Sequence, residues 1–124
     1  MKINRERTIM DLQLDFKKAF PYLKIEFFKT PDERDNAIDE NGKLESHLNL
    51  EKISSFKNSG EFLLNQDMEV GDFESHLRQR FGLYVQVYRK ERGKWLQSWT
   101  TDSWTLEQQN NRSRTIGDIR LFLP

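Results

Sequence analysis

Apolar and polar positions alternate with two different periods along this chain, and the same succession of periods occurs twice. In residues 8–20 (TIMDLQLDFKKAF), Ile9, Leu12, Phe16, Ala19 and Phe20 fall on one face at the period of about 3.6 residues that marks an amphipathic helix. Thr8 followed by Asp11 supplies an N-cap and a carboxylate at the helix start, and Pro21 stops the helix. The next stretch, LKIEFFK at 23–29, changes to strand alternation, with Ile25 and Phe27 on one side and Lys24, Glu26 and Phe28 on the other. Residues 69–89 repeat the arrangement. Val70, Phe73, Leu77 and Phe81 form the helical stripe, Gly82 stands at the C-cap position, and LYVQVYR at 83–89 is the strand. Adding 61 to a residue number superposes the helices, and adding 60 superposes the strands.

The likeness extends beyond the opening. Gly42-Lys43 matches Gly93-Lys94 and Leu50-Glu51 matches Leu106-Glu107, so each copy reads helix, strand, hairpin strand, short helix. Asn41-Gly42 is a tight-turn signal that returns residues 43–47 as a short strand, and residues 48–56, apolar at 50, 53 and 56, make a helical turn or two. Residues 61–65 read as a strand, 94–100 as the second hairpin strand, and 103–109 as a short helix with Thr105 and Gln108 at capping-box spacing. Residues 1–7 read as frayed or extended, 110–117 as a polar linker, and 118–124 as a terminal strand. The expectation is one α+β domain over 1–124 with pseudo-repeats 8–65 and 69–123. Its sheet is expected to be mixed, with the two long helices packed on one face. The C-terminal strand is expected to fill the place beside the first copy, which has no strand ahead of Thr8.

Composition narrows the classes. At 124 residues the chain suits one domain, and 20 basic against 20 acidic residues leave no general basic field for duplex DNA. No apolar run approaches the roughly 20 residues of a membrane span, and no signal-peptide pattern follows Met1. Without cysteine there are no disulfides, and a cytoplasmic location is expected. Residues 30–45 hold six acidic and two basic side chains, but EF-hand spacing is not met, so they read as a solvated loop without metal. His47 and His76 are the only imidazoles, Glu74-Ser75-His76 lies along one helix rather than converging as a triad, and no phosphate-binding glycine motif is present. No enzyme and no cofactor are expected.

The segments MEVGDFE (68–74), FGLYVQVYRK (81–90), WL (95–96) and TDSWTLEQQN (101–110) resemble a family of small uncharacterised cytoplasmic proteins of Bacteroides-type bacteria. In that family a helix opening with Val and a carboxylate leads into an fGL-VQV-RK strand and a TD-WTL-QQN segment. The likeness is close over about a third of the chain and looser in its first half. It implies a shared scaffold and carries over no site residue, because no activity is established for the family. Glu69 stands where the family pattern has Thr, which removes that N-cap.

The hairpin of the second copy carries the candidate chemistry. If Leu83, Val85, Val87 and Leu96 face the helices, alternation puts Tyr84, Gln86, Tyr88, Trp95, Gln97 and Trp99 on the opposite face, rimmed by Arg89, Lys90, Arg92 and Lys94. Three readings are open. The aromatics are covered core; or they bind a protein, either a foreign partner or a second copy whose acidic loop meets the basic hairpin; or they stack single-stranded nucleic acid. The sequence reading adopted is a non-enzymatic protein-interaction module, with single-stranded nucleic-acid binding as the alternative.

Overall fold

The computed structural model of the protein describes residues 1–29, 42–97 and 103–121, with side chains through residue 114. The elements run β1 (Lys2–Ile3), α1 (Ile9–Ala19), β2 (Leu23–Phe28), a 3-10 turn (Leu50–Lys52), β3 (Gly60–Glu61), α2 (Val70–Phe81), β4 (Tyr84–Glu91), β5 (Lys94–Gln97) and α3 (Leu106–Leu121). The fold is α+β, as the periodicities imply. Thr8 and Asp11 form a full capping box at the start of α1. Glu69 makes no side-chain cap for α2, but Gly82 ends that helix in the left-handed region at φ 70°. A Cβ at residue 82 would lie 1.9 Å from the Ser55 carbonyl oxygen, so glycine is required there by space as well as by conformation.

Both sheets are antiparallel among the described residues: β1 pairs with β3, and β2-β4-β5 form a three-stranded sheet. The expected mixed sheet is corrected accordingly. β5 returns from β4 through a two-residue turn, and β2 and β4 exchange places about a common centre, so no parallel crossover arises. One face of the larger sheet presents Leu23, Ile25, Phe27, Leu83, Val85 and Val87, all buried. α1 and α2 cover it with Ile9, Leu12, Phe16, Val70, Phe73 and Leu77. Their rings interlock across the middle, Phe16 lying 5.2 Å from Phe73 and Phe73 5.6 Å from Phe62 between centroids.

Backbone hydrogen bonds recur in the two halves at the spacing the sequence suggests. Ile9 N–H donates to the Leu48 carbonyl (2.9 Å) as Val70 N–H donates to Trp104 (3.0 Å). Leu50 N–H donates to Arg7 (2.8 Å) as Leu106 N–H donates to Met68 (2.9 Å). The side chains of Asn4 and Asn65 each accept from the backbone amide two residues on, at 3.2 and 2.9 Å. The stretch ahead of α1, expected to be empty of strand, is therefore occupied: MKIN at 1–4 stands before α1 as FLLN at 62–65 stands before α2, and β1 pairs with β3.

The C-terminal expectations are overturned. Residues 110–117 are not a linker and 119–121 not a strand, because α3 runs unbroken from Leu106 to Leu121; residues 122–124 lie outside the described residues. Its capping box is the expected one, Gln108 N–H donating to Thr105 Oγ1 (3.0 Å) and Thr105 N–H to Gln108 Oε1 (2.8 Å). Among its described side chains, through residue 114, the buried positions Leu106, Gln109 and Ser113 have helical spacing, and two of the three are polar. The return segment after residue 42 makes one bridge, Phe28 with Lys43, rather than a strand.

Candidate functional site

The candidate face is set by the register of β4 with its two neighbours. Lys24 stands opposite Tyr88 and Tyr88 opposite Gln97, while Trp95 stands opposite Lys90 and Phe28 opposite Tyr84. Directly opposed residues share a face, and pleat alternation turns these away from the buried row of Ile25, Val85 and Val87. The tight hairpin fixes this register. Arg92 at φ 51° and Gly93 at φ 78° are both left-handed, as a two-residue type I′ turn requires.

Lysines, rather than open solvent, meet the two central rings. The Lys24 ammonium lies 4.7 Å from the Trp95 ring centroid and 5.6 Å from that of Tyr88. Lys17 (5.3 Å) and Lys90 (5.8 Å) also face Trp95, and Lys43 lies 5.4 Å from Tyr88. Gln13 explains how α1 contributes: its amide donates to the Ile25 carbonyl at the outer edge of β2 (2.9 Å), and Lys17 follows one helical turn later. Tyr88 is only 8% exposed, whereas Tyr84, Gln86, Trp95 and Gln97 are half-buried. Gln97 Nε2 donates to the Tyr88 hydroxyl (3.0 Å), which leaves that hydroxyl its own proton to donate. Glu26 sits among these groups, 3.3 Å from the Lys24 ammonium.

The predicted basic rim is placed differently. Arg89 points to the helix side, its Nη1 donating to Gln109 Oε1 (3.1 Å) and its Nε to Glu91 Oε1 (2.9 Å). Lys94 pairs with Glu91 on that same side, and Arg92 is exposed in the turn. Of the rim only Lys90 reaches the aromatic face. Leu96, expected in the core, shares the face of Arg89 but is 39% exposed, since it lies at the sheet's edge beyond the long helices. Trp99 lies outside the described residues. Lys17, Lys24 and Lys43 were missed because they come from the first half of the chain, and only the pairing of β2 with β4 brings them across; the shared face of Lys24, Glu26 and Phe28 was the available signal.

Elsewhere, Glu91 is held by arginines on the helix side of the sheet. Partial burial pushes the Glu91 carboxyl up, but hydrogen bonds from Arg112 and Arg89 outweigh it and hold the group below its ordinary value. His47 and Glu45 lie 3.2 Å apart, both widely exposed, and His76 is exposed on α2. A cleft of about 360 Å³ borders the face, lined by Phe28, Glu74, Arg78, Tyr84 and Gln86 among others; within its wall Glu74 accepts from Val87 N–H (2.9 Å). Among the described residues no three His, Asp or Glu side chains gather as a metal site, and no helix is long and apolar enough to cross a membrane. No protein-family model, curated protein or solved structure matches the chain.

Proposed function

We propose that the protein is a non-enzymatic interaction module that binds a partner protein through the Tyr88 and Trp95 face of its sheet. One observation carries this reading: the face lies opposite the packed helices, yet lysines from α1, β2, β4 and the segment at residue 43 converge on its two rings. Core aromatics are ordinarily met by apolar groups, whereas long cationic stems over an aromatic pair leave charged heads toward water. Single-stranded nucleic acid, the alternative, needs ring faces free for bases to stack on, and the ammonium groups already occupy them. A cytoplasmic setting, kinship with the Bacteroides-type proteins and an origin of the two halves by duplication belong to the same proposal. They rest on the cysteine-free composition, the shared motifs and the recurring hydrogen bonds, respectively.

A photo-cross-linking side chain at residue 86, in the middle of the face, tests the reading in cells, with residue 79 on α2 as control. The expected result is a discrete protein adduct from residue 86 alone, lost with Trp95→Ala. No adduct, or one removed by nuclease, contradicts the proposal; an adduct that is a second copy of this chain identifies a homodimer.

A further inference from the structure

Resting on that reading, we infer that the segment bound by the Tyr88 and Trp95 face is acidic: a Glu- or Asp-rich stretch of a partner protein whose carboxylates seat among Lys17, Lys24 and Lys90. The three ammonium groups all lie within 5.8 Å of the Trp95 centroid. No two of them can then be more than about 11 Å apart, a separation comparable with the Debye length of about 8 Å at physiological ionic strength, so salt screens their repulsion only in part. Such a cluster repels itself unless anions accompany it. The ring contacts offset part of this repulsion, but an aromatic quadrupole neutralises no charge. Among the described residues Lys17 and Lys90 have no carboxylate partner, and Lys24 has only Glu26.

Hydrogen-bond chemistry points the same way. The ammonium groups are donors only, and the Tyr88 hydroxyl, already accepting from Gln97, has a proton left to give. A donor-rich face suits an acceptor-rich ligand. An extended acidic peptide presents carboxylates on alternate residues, matching lysines spread over neighbouring strands, and it needs no ring face for stacking. Lysine in place of arginine also fits carboxylates reached singly as point charges rather than clamped in a bidentate fork.

The test is a titration of the full chain with octaglutamate, and in parallel with octathymidylate, followed by NMR of the lysine and Trp95 side chains at low salt. Octaglutamate is expected to shift Lys17, Lys24, Lys90 and Trp95. Its affinity should fall about tenfold in the Lys24→Gln, Lys90→Gln double variant and not change in Lys52→Gln, an exposed lysine of the 3-10 turn. Circular dichroism checks that the variants stay folded. Octathymidylate binding without octaglutamate binding, or octaglutamate that binds the double variant as well as the parent, overturns the inference. If octaglutamate does not bind while residue 86 still cross-links to a protein, the acidic partner is wrong and the interaction module stands.

Discussion

Glu26 stands directly opposite Gln86 in the β2–β4 ladder, and the two hold equivalent places in the two halves of the chain. Their neighbours pair reciprocally, Ile25 with Val87 and Phe27 with Val85, so exchanging the halves maps the ladder onto itself. At this centre the halves differ in charge: Glu26 carries the carboxylate that pairs with Lys24, and Gln86 carries none. Replacing Glu26 with Gln should cost at most about 1 kcal/mol of stability, the scale of a solvent-accessible pair. It should also tighten octaglutamate binding severalfold by removing a negative charge from the lysine cluster. Thermal melting and the peptide titration check the two effects.

Gly82 is the position where backbone and space both forbid a side chain. Gly82→Ala places a methyl against the Ser55 carbonyl and forces a left-handed alanine, so a loss of about 2–4 kcal/mol is expected from urea unfolding. Gly60→Ala meets only the edge of the Phe81 ring at 3.3 Å and should cost clearly less.

Leu50 and Leu106 test whether the recurring contacts are energetically alike. Each is fully buried and each donates its amide to the segment ahead of a long helix, Leu50 to Arg7 and Leu106 to Met68. Truncation to Ala should cost about 2–5 kcal/mol at either site, with similar values for both, in chemical denaturation.

Stability should fall on acidification, for a reason with a definite sign. The Asp11 carboxyl is lowered chiefly by the backbone amide of Thr8, and Glu91 by Arg112 and Arg89 against its burial. A carboxylate with a depressed folded pKa contributes stability that is fully present above its unfolded value, about 4, and that disappears as pH falls through the folded one. Unfolding free energy measured from pH 7 to pH 2 should therefore drop below about pH 4. The Glu91→Gln variant should show a shallower drop, having lost its share at neutral pH.

α1, α2, the β4–β5 hairpin and the Gly82 cap were legible in the sequence because their apolar stripes and turn residues obey local rules. α3 was not, since two of its three buried positions among the described side chains are Gln109 and Ser113, and its Asn, Ser, Thr and Gly residues are poor helix formers. The buried Gln109 accepts a hydrogen bond from Arg89 of β4 on the helix side of the sheet, a satisfaction that no local pattern announces. The aromatic residues of the candidate face were legible by alternation. The lysines over them were not, because a pairing between strands about 60 residues apart in sequence decides which cations arrive.

Whether the cationic surroundings of Trp95 are open to solution is most directly measured by collisional quenching. In a variant keeping Trp95 with Trp99→Phe and Trp104→Phe, emission is quenched in parallel by iodide, caesium and neutral acrylamide in dilute solution. Lysines 17, 24 and 90 around the ring should draw the anion and repel the cation, so iodide should quench severalfold more efficiently than caesium, with acrylamide between. Raising ionic strength should narrow the gap. Blue-shifted emission protected from all three quenchers would mean that the face is closed core, and equal quenching by iodide and caesium would mean that no cationic site surrounds Trp95.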